Sequence, residues 1–292
     1  MERELWPVLY RAVKEVAVDF TQKYKQIPGW VIVLTMLWAT LHDRQVAWAC
    51  KQDNWKTTRL KLPKLPSPAT MSRRVDSVAT GLLMKAVEVR LRELSAEHPE
   101  LVAFLDGKPL CVGGSTKDPD ARYGRGAGVM AKGYKLHTLW SNRAMPEAWE
   151  TTPMNEAETT VAKRLIPQAA AGGYLFADGN YDSSELFDLA FAHGYQLVTP
   201  LPKGKNPGYG GGHYQSPHRR RSIAMMREPF GRDIYRLRSR IERTYGQAVS
   251  FGGGLTNPPS WIRGSPRVRT WTWCKLMINA ARIIRNKDLW HP

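Results

Sequence analysis

Two short apolar runs, LVAFLD at 101–106 and YLFAD at 174–178, each deliver an aspartate followed at once by glycine, and the two aspartates stand 72 positions apart. Runs of this length and composition predict buried strands. A carboxylate at the tip of a buried strand is costly unless something pairs with it, and a metal ion is one such partner. If the two strands are neighbours in one sheet, Asp106 and Asp178 lie side by side, so the chain must fold to bring them there. Asp182 reads differently, because with Glu185 three positions later it has the spacing of a helix-capping pair.

The surrounding pattern agrees with a sheet. Further strand-like runs lie at 109–112, 133–141 (GYKLHTLWS) and 195–201, and helical periodicity fills 156–171 and 183–193. Three strands, then helix, strand, helix and strand, is the order of an α/β fold in which a mixed sheet is flanked by helices. Before this region, residues 1–98 read as helical, with apolar positions at Leu5, Leu9, Val13, Val16 and Phe20 and again across 31–48. Ser67 and Pro68 suit the N-cap and first turn of a helix that carries Arg73 and Arg74 near its start. Such an array fits a helix-turn-helix that presents those arginines to DNA, although a plain helical bundle has the same periodicity. The expected division is therefore a helical region over 1–98 and an α/β domain over 99–292. A glycine- and proline-rich segment at 203–215 and the run HRRR at 218–221 make a basic loop over 203–221, and two helices at 233–250 and 267–286 follow.

Charge narrows the partners. With 43 Lys and Arg against 26 Asp and Glu, the formal charge is +17, which favours a polyanion and above all nucleic acid. Cys50, Cys111 and Cys274 lack the paired spacing of a zinc site or disulfide framework and read as buried, reduced thiols of a cytoplasmic protein. The first residues lack a secretory leader pattern. The most apolar stretch, 30–41, is shorter than the ~20 residues a bilayer requires, so it reads as a core helix and no membrane is expected. Gly124, Gly126 and Gly128 imitate a phosphate-binding loop, yet no strand leads into them and no helix leaves, so a nucleotide site is not expected. His137 reads as a structural histidine, and Trp261, Trp271 and Trp273 read as core.

A third acid sits in DIYRLRSRIERTYGQAV, 233–249. Asp233 can cap a helix whose core stripe is Ile234, Leu237, Ile241, Tyr245 and Ala248. At about 100° per residue, Tyr235, Arg238 and Glu242 fall in a second, narrow arc of that helix.

The order Asp106, Asp178, Glu242, with the glutamate inside Tyr-x-x-Arg-x-x-x-Glu, resembles the DDE transposases of bacterial insertion sequences. KGYKLHTLWS (132–141) is similar to that family's third-strand region and ADGNYDS (177–183) to its second-Asp motif. The resemblance implies a ribonuclease-H-like catalytic fold in which Asp106, Asp178 and Glu242 are catalytic and hold two Mg²⁺, with Mn²⁺ as a possible substitute. Hard oxygen ligands suit magnesium, and a metal pair can activate the attacking oxygen, stabilise the leaving one and neutralise charge at phosphorus. The expected reaction is cleavage at the element's ends followed by attack of the exposed 3′-hydroxyl on target DNA. Alternatives are a nuclease of this fold that cuts without joining, or a DNA-binding descendant of a transposase. The implied partners are double-stranded DNA, as ends and as target, and a second copy in a homodimer on DNA. Arg238 would meet a DNA phosphate beside Tyr235, while Arg219, Arg220 and Arg221 would track the backbone. The family's motif continues to a lysine seven residues past the glutamate, where this chain has Val249; Arg243 and Lys275 are the candidates to replace it.

Overall fold

A computed structural model describes residues 2–20, 26–60, 62–95, 100–126, 128–169, 172–201 and 214–287. In chain order, α1 (Glu2–Ala17), α2 (Gly29–Leu41), α3 (Val46–Ala49), α4 (Pro68–Arg74) and α5 (Val78–Glu93) come first. Strands β1 (Val102–Cys111), β2 (Arg122–Gly126), β3 (Val129–Trp140) and β4 (Ala148–Pro153) follow, then α6 (Glu158–Leu165), β5 (Gly173–Phe176), α7 (Ser184–Ala192) and β6 (Tyr195–Val198). Four helices complete the order: α8 (Pro217–Arg227), α9 (Pro229–Tyr235), α10 (Ser239–Val249) and α11 (Ser265–Asn286). They form two compact units, one of Met1–Glu97, Ala248–Ile262 and Thr270–Pro292, the other of His98–Gln247 and Arg263–Arg269. The division expected at 98/99 is contiguous, falls on residues outside those described, and does not show the return of the C-terminal segments to the first unit.

The first unit is built around α2. Every residue of α2 from Val31 to Leu41 is buried, so this helix has no polar stripe and must be surrounded. Trp38 stacks on Trp55 with centroids 4.7 Å apart, and Trp6 meets both edge-on at 4.7 and 5.6 Å. Each indole N–H finds a main-chain oxygen, at Leu60, Asn54 and Ala49, so three large rings are buried without an orphaned donor. Among the described residues no helix is long and apolar enough to cross a membrane.

Ser67 caps α4 as expected, accepting from the Thr70 N–H, with Pro68 in the first turn. The arginines differ from expectation. α4 has only seven residues, so Arg73 and Arg74 fall in its last turn, not near its start. Arg74 donates to the Ile27 oxygen, whereas Arg73 is exposed. Cys50 and Cys111 are half-buried and only Cys274 is buried, so the expected burial of all three thiols is corrected.

The second unit carries a mixed sheet in the order β2-β3-β1-β5-β6, with β4 also on β3. β3 runs antiparallel to β1, β2 and β4, while β5 lies parallel to β1 and β6 parallel to β5. This ribonuclease-H-like arrangement has one face closed by α6 and α7. Val161, Ala162, Leu165, Leu186 and Phe187 pack there on Leu105, Leu139, Leu175 and Leu197, and each fully buried leucine contributes about 2 kcal/mol.

Three expectations about elements are corrected here. The runs at 101–106 and 109–112 are one strand, because β3 keeps pairing with β1 from Phe104↔Trp140 to Cys111↔Gly133. Pro109, which has no N–H, is tolerated in it because the pairing with β5 has already ended at Phe104. Gly124 and Gly126 lie within strand β2, where the sequence offered no strand; a Cβ on Gly124 would lie 2.4 Å from the Met154 oxygen, so only glycine lets that backbone approach. The helix expected at 233–250 is broken by a 3-10 turn at Arg236–Arg238, and Asp233, inside α9, pairs with Arg236 instead of capping.

Candidate active site

Register places the two aspartates. β1 and β5 share three parallel rungs, the last being Phe104↔Phe176, and Asp106 and Asp178 each lie two residues beyond it. β5 ends there, while β1 continues along β3 with Asp106 opposite Thr138. Asp106 is thus inside its strand and not at the tip, but it stands where β1 first loses its parallel neighbour.

Burial and like charge raise both acids. Asp106 is pushed up to about 6, chiefly by burial; the Gly107 N–H at 2.8 Å and Arg238 oppose this, and Asp178 and Glu158 add to it. Asp178 is raised by burial and by Glu158, against the Asn180 N–H at 2.8 Å, Arg238 and Lys135. Two tyrosines hold the backbone of the pair. Tyr235 donates to the Ala177 oxygen at 3.0 Å, and Tyr245 donates to the Asp106 oxygen at 3.2 Å while sharing a hydrogen bond with Thr138 Oγ1 at 2.6 Å.

Glu242 stands differently. Its side chain is 65% exposed and accepts from Arg238 Nη1 at 3.3 Å. The intervening 3-10 turn means that Tyr235, Arg238 and Glu242 do not share one uninterrupted helical arc. Among the described residues, no three Asp, Glu, His or Cys side chains converge closely enough to hold an ion unaided. A divalent cation nonetheless suits the donor set, which is all oxygen and crowded with negative charge. Arg238 Nε is buried without a hydrogen-bond partner among the described residues.

The raised pKa of Asp106 has a consequence for stability. Its folded pKa, about 6, exceeds its ordinary value of 3.8, so the folded state binds the proton more tightly. Stability of the metal-free protein should therefore fall as pH rises from about 4 to 6, by up to about 3 kcal/mol. Thermal melts in EDTA across that range check this, and Asp106→Asn should flatten the profile.

Sequence reasoning missed Glu158, Lys135, Asn180 and Tyr245, which become visible only through contacts between distant segments. One basic position has an acidic partner that the sequence did not reveal. Arg219 makes a bidentate pair with Asp182 at 2.6 and 2.8 Å, with the two side chains 12% and 16% exposed, so it anchors α8. Asp182 is that anchor's partner and not a cap for α7, whose N-cap is Ser183. Arg219→Ala should lower stability by about 3 kcal/mol through the uncompensated Asp182, measured by denaturant unfolding. Arg220 and Arg221 are exposed, and 203–213 of the basic loop lies outside the described residues.

His137 is buried on the face of β3 away from Asp106, its Nε2 sharing a hydrogen bond with Thr152 Oγ1 at 3.0 Å, and burial pushes its pKa down to about 3. Trp271 is buried and Trp273 half-buried, but Trp261 is exposed, which corrects its expected place in the core. Lys275 is fully buried in the first unit and cannot replace the missing motif lysine, whereas Val249 and Arg243 are exposed on α10.

A search of curated proteins finds no match for this chain. Over residues 97–263, more than half its length, the sequence matches the family model described as the transposase DDE domain. That span contains the register-matched aspartates, the broken helix with Glu242, and the whole sheet. The chain belongs to the DDE transposases.

Proposed function

We propose that this transposase cleaves the ends of its insertion sequence and joins the exposed 3′-hydroxyl to target DNA, with Asp106, Asp178 and Glu242 holding two Mg²⁺ or, as a substitute, Mn²⁺. The observation that carries the reading is the pair of aspartates two residues past one parallel rung, both raised chiefly by burial, Asp106 also by Asp178 and Glu158 and Asp178 also by Glu158. When bound, the ions supply the charge that activates the attacking oxygen and neutralises the phosphate. The chain's own residues do the remaining work. Tyr235 and Tyr245 fix the backbone beside the two acids. Arg238 compensates the acids in the absence of DNA, and on DNA binding the Nη1–H that Glu242 accepts turns to a phosphate. That exchange releases Glu242 from Arg238, so the third carboxylate becomes available as a ligand.

The helical region over 1–98 is proposed to help bind the transposon ends, with exposed Arg73 contributing more than Arg74, and the enzyme is proposed to act as a homodimer on DNA. Arg220 and Arg221 are proposed to meet DNA phosphates. Replacing both with Ala should weaken end binding and lower the slope of log affinity against log salt by roughly 2, about 0.9 per lost contact. A salt titration of end binding checks this, and an unchanged slope would remove the pair from the interface.

The reading is tested by incubating the protein with its element's ends and Mg²⁺ and mapping product termini. A 3′-hydroxyl at the element's end and a joined product are expected. Cleaved ends that never join would instead indicate a nuclease, and binding without any product would sink both.

A further inference from the structure

Lys135 and Glu158 take no part in the mechanism above, yet the fold builds a site for them. Lys135 lies on β3 opposite Pro109 and Thr152, on the sheet face away from Asp106. Its Nζ donates to Glu158 Oε1 at 2.7 Å, and the two side chains are only 10% and 13% exposed. Gly107 leaves the room: a Cβ there would lie 2.9 Å from Lys135 Cδ and 3.2 Å from Glu158 Oε1. A nearly buried ion pair is a poor device for stability, because desolvation offsets the attraction. What the pair holds is therefore more telling than the pair itself.

Glu158 Oε2 accepts from Asn180 Nδ2 at 3.3 Å, and that same amide lies 3.4 Å from Asp178 Oδ2. The Asn180 main-chain N–H donates to Asp178 Oδ1 at 2.8 Å. One asparagine thus spans two carboxylates that repel each other. Asn180 is exposed and borders an open groove of about 370 Å³ with Lys135 and Glu158, so hydrogen bonds must hold its side chain where packing does not. Glu158 itself starts α6, where the partial positive charge of the helix end favours a carboxylate.

We propose that Glu158 is a positioning residue for phosphoryl transfer: through Asn180 it fixes the orientation of the Asp178 carboxylate, while the ion pair with Lys135 holds Glu158 in place. The proposal rests on the reading of Asp178 as a metal ligand. Outer groups that orient a ligand typically matter by 10–100-fold in metal affinity or activity.

The test uses Glu158→Gln, Asn180→Ala, their double variant, and Lys135→Met combined with Glu158→Gln, all in the full chain. In metal-free protein labelled with ¹⁵N-asparagine, the Asn180 side-chain amide, assigned by its loss in Asn180→Ala, should show a distinct resonance. It should move to the averaged position of free asparagine in Glu158→Gln. The Mn²⁺ concentration giving half-maximal cleavage should rise about tenfold in each single variant, with affinity for DNA ends unchanged. The double variant should be no worse than Asn180→Ala alone. Multiplying effects in the double variant would overturn the proposal, because Glu158 would then act on its own. An unmoved amide resonance would overturn it too. The Met/Gln variant removes the unpaired buried charge, so it guards against misfolding; recovery of normal Mn²⁺ dependence in it would also overturn the proposal. Wild-type protein that makes no product with any divalent metal would sink the reading of Asp178 as a ligand, and the amide resonance, read without metal, would still decide whether Glu158 holds Asn180.

Discussion

Asp106→Asn should yield a protein that folds, binds its DNA ends and cuts nothing. Asparagine keeps the shape of the side chain and can still accept the Gly107 N–H that Asp106 Oδ1 accepts at 2.8 Å. What it removes is the charge. Charge stabilisation by a metal site is worth several kcal/mol at the transition state, so a rate loss on the order of 10³-fold or more is expected. End binding, which draws on basic residues elsewhere, should change little. Single-turnover cleavage in Mg²⁺ alongside end binding in EDTA separates the two effects, and full cleavage by the variant would remove Asp106 from the chemistry.

Lys275→Ala should have the largest effect on stability. Lys275 is fully buried, yet its ammonium donates to the oxygens of Thr40 at 3.1 Å and Gly253 at 3.0 Å and to Asp43 Oδ1 at 2.5 Å. Thr40 lies in the last turn of α2, where carbonyls have no partner within the helix and a cation is favoured. Truncation removes the donor to the Gly253 oxygen, takes the ammonium from Asp43 and opens a cavity, for a loss of about 4 kcal/mol. Denaturant unfolding of the full chain measures it. Loss of DNA binding without loss of stability would show instead that Lys275 serves the DNA.

The two aspartates were legible in the sequence because an apolar run ending in Asp-Gly is a local signal. Their alignment was not, since it depends on the rung Phe104↔Phe176, which joins segments far apart in the chain. The same Asp-Gly misled the reading of β1, because a glycine looks like a strand end when the ladder on β3 is unseen. The shared arc of Tyr235, Arg238 and Glu242 assumed an unbroken helix; the 3-10 turn at Arg236–Arg238 leaves no mark in the apolar periodicity. Glu158 was missed for a simpler reason. An acid at a helix start is ordinary, and only Lys135, 23 positions away across the sheet, makes it otherwise. A run of arginines looks uniform in the sequence, and only the fold shows that Arg219 pairs with Asp182.

Three rungs between β1 and β5 are all that bring the aspartates level. A residue gained or lost between Phe176 and Asp178, or between Phe104 and Asp106, would put one acid out of step with the other. Lengthening the loops outside the ladders, by contrast, leaves the alignment untouched. Descendants of this chain are thus free to acquire long insertions between their strands, while two stretches of three codons admit none.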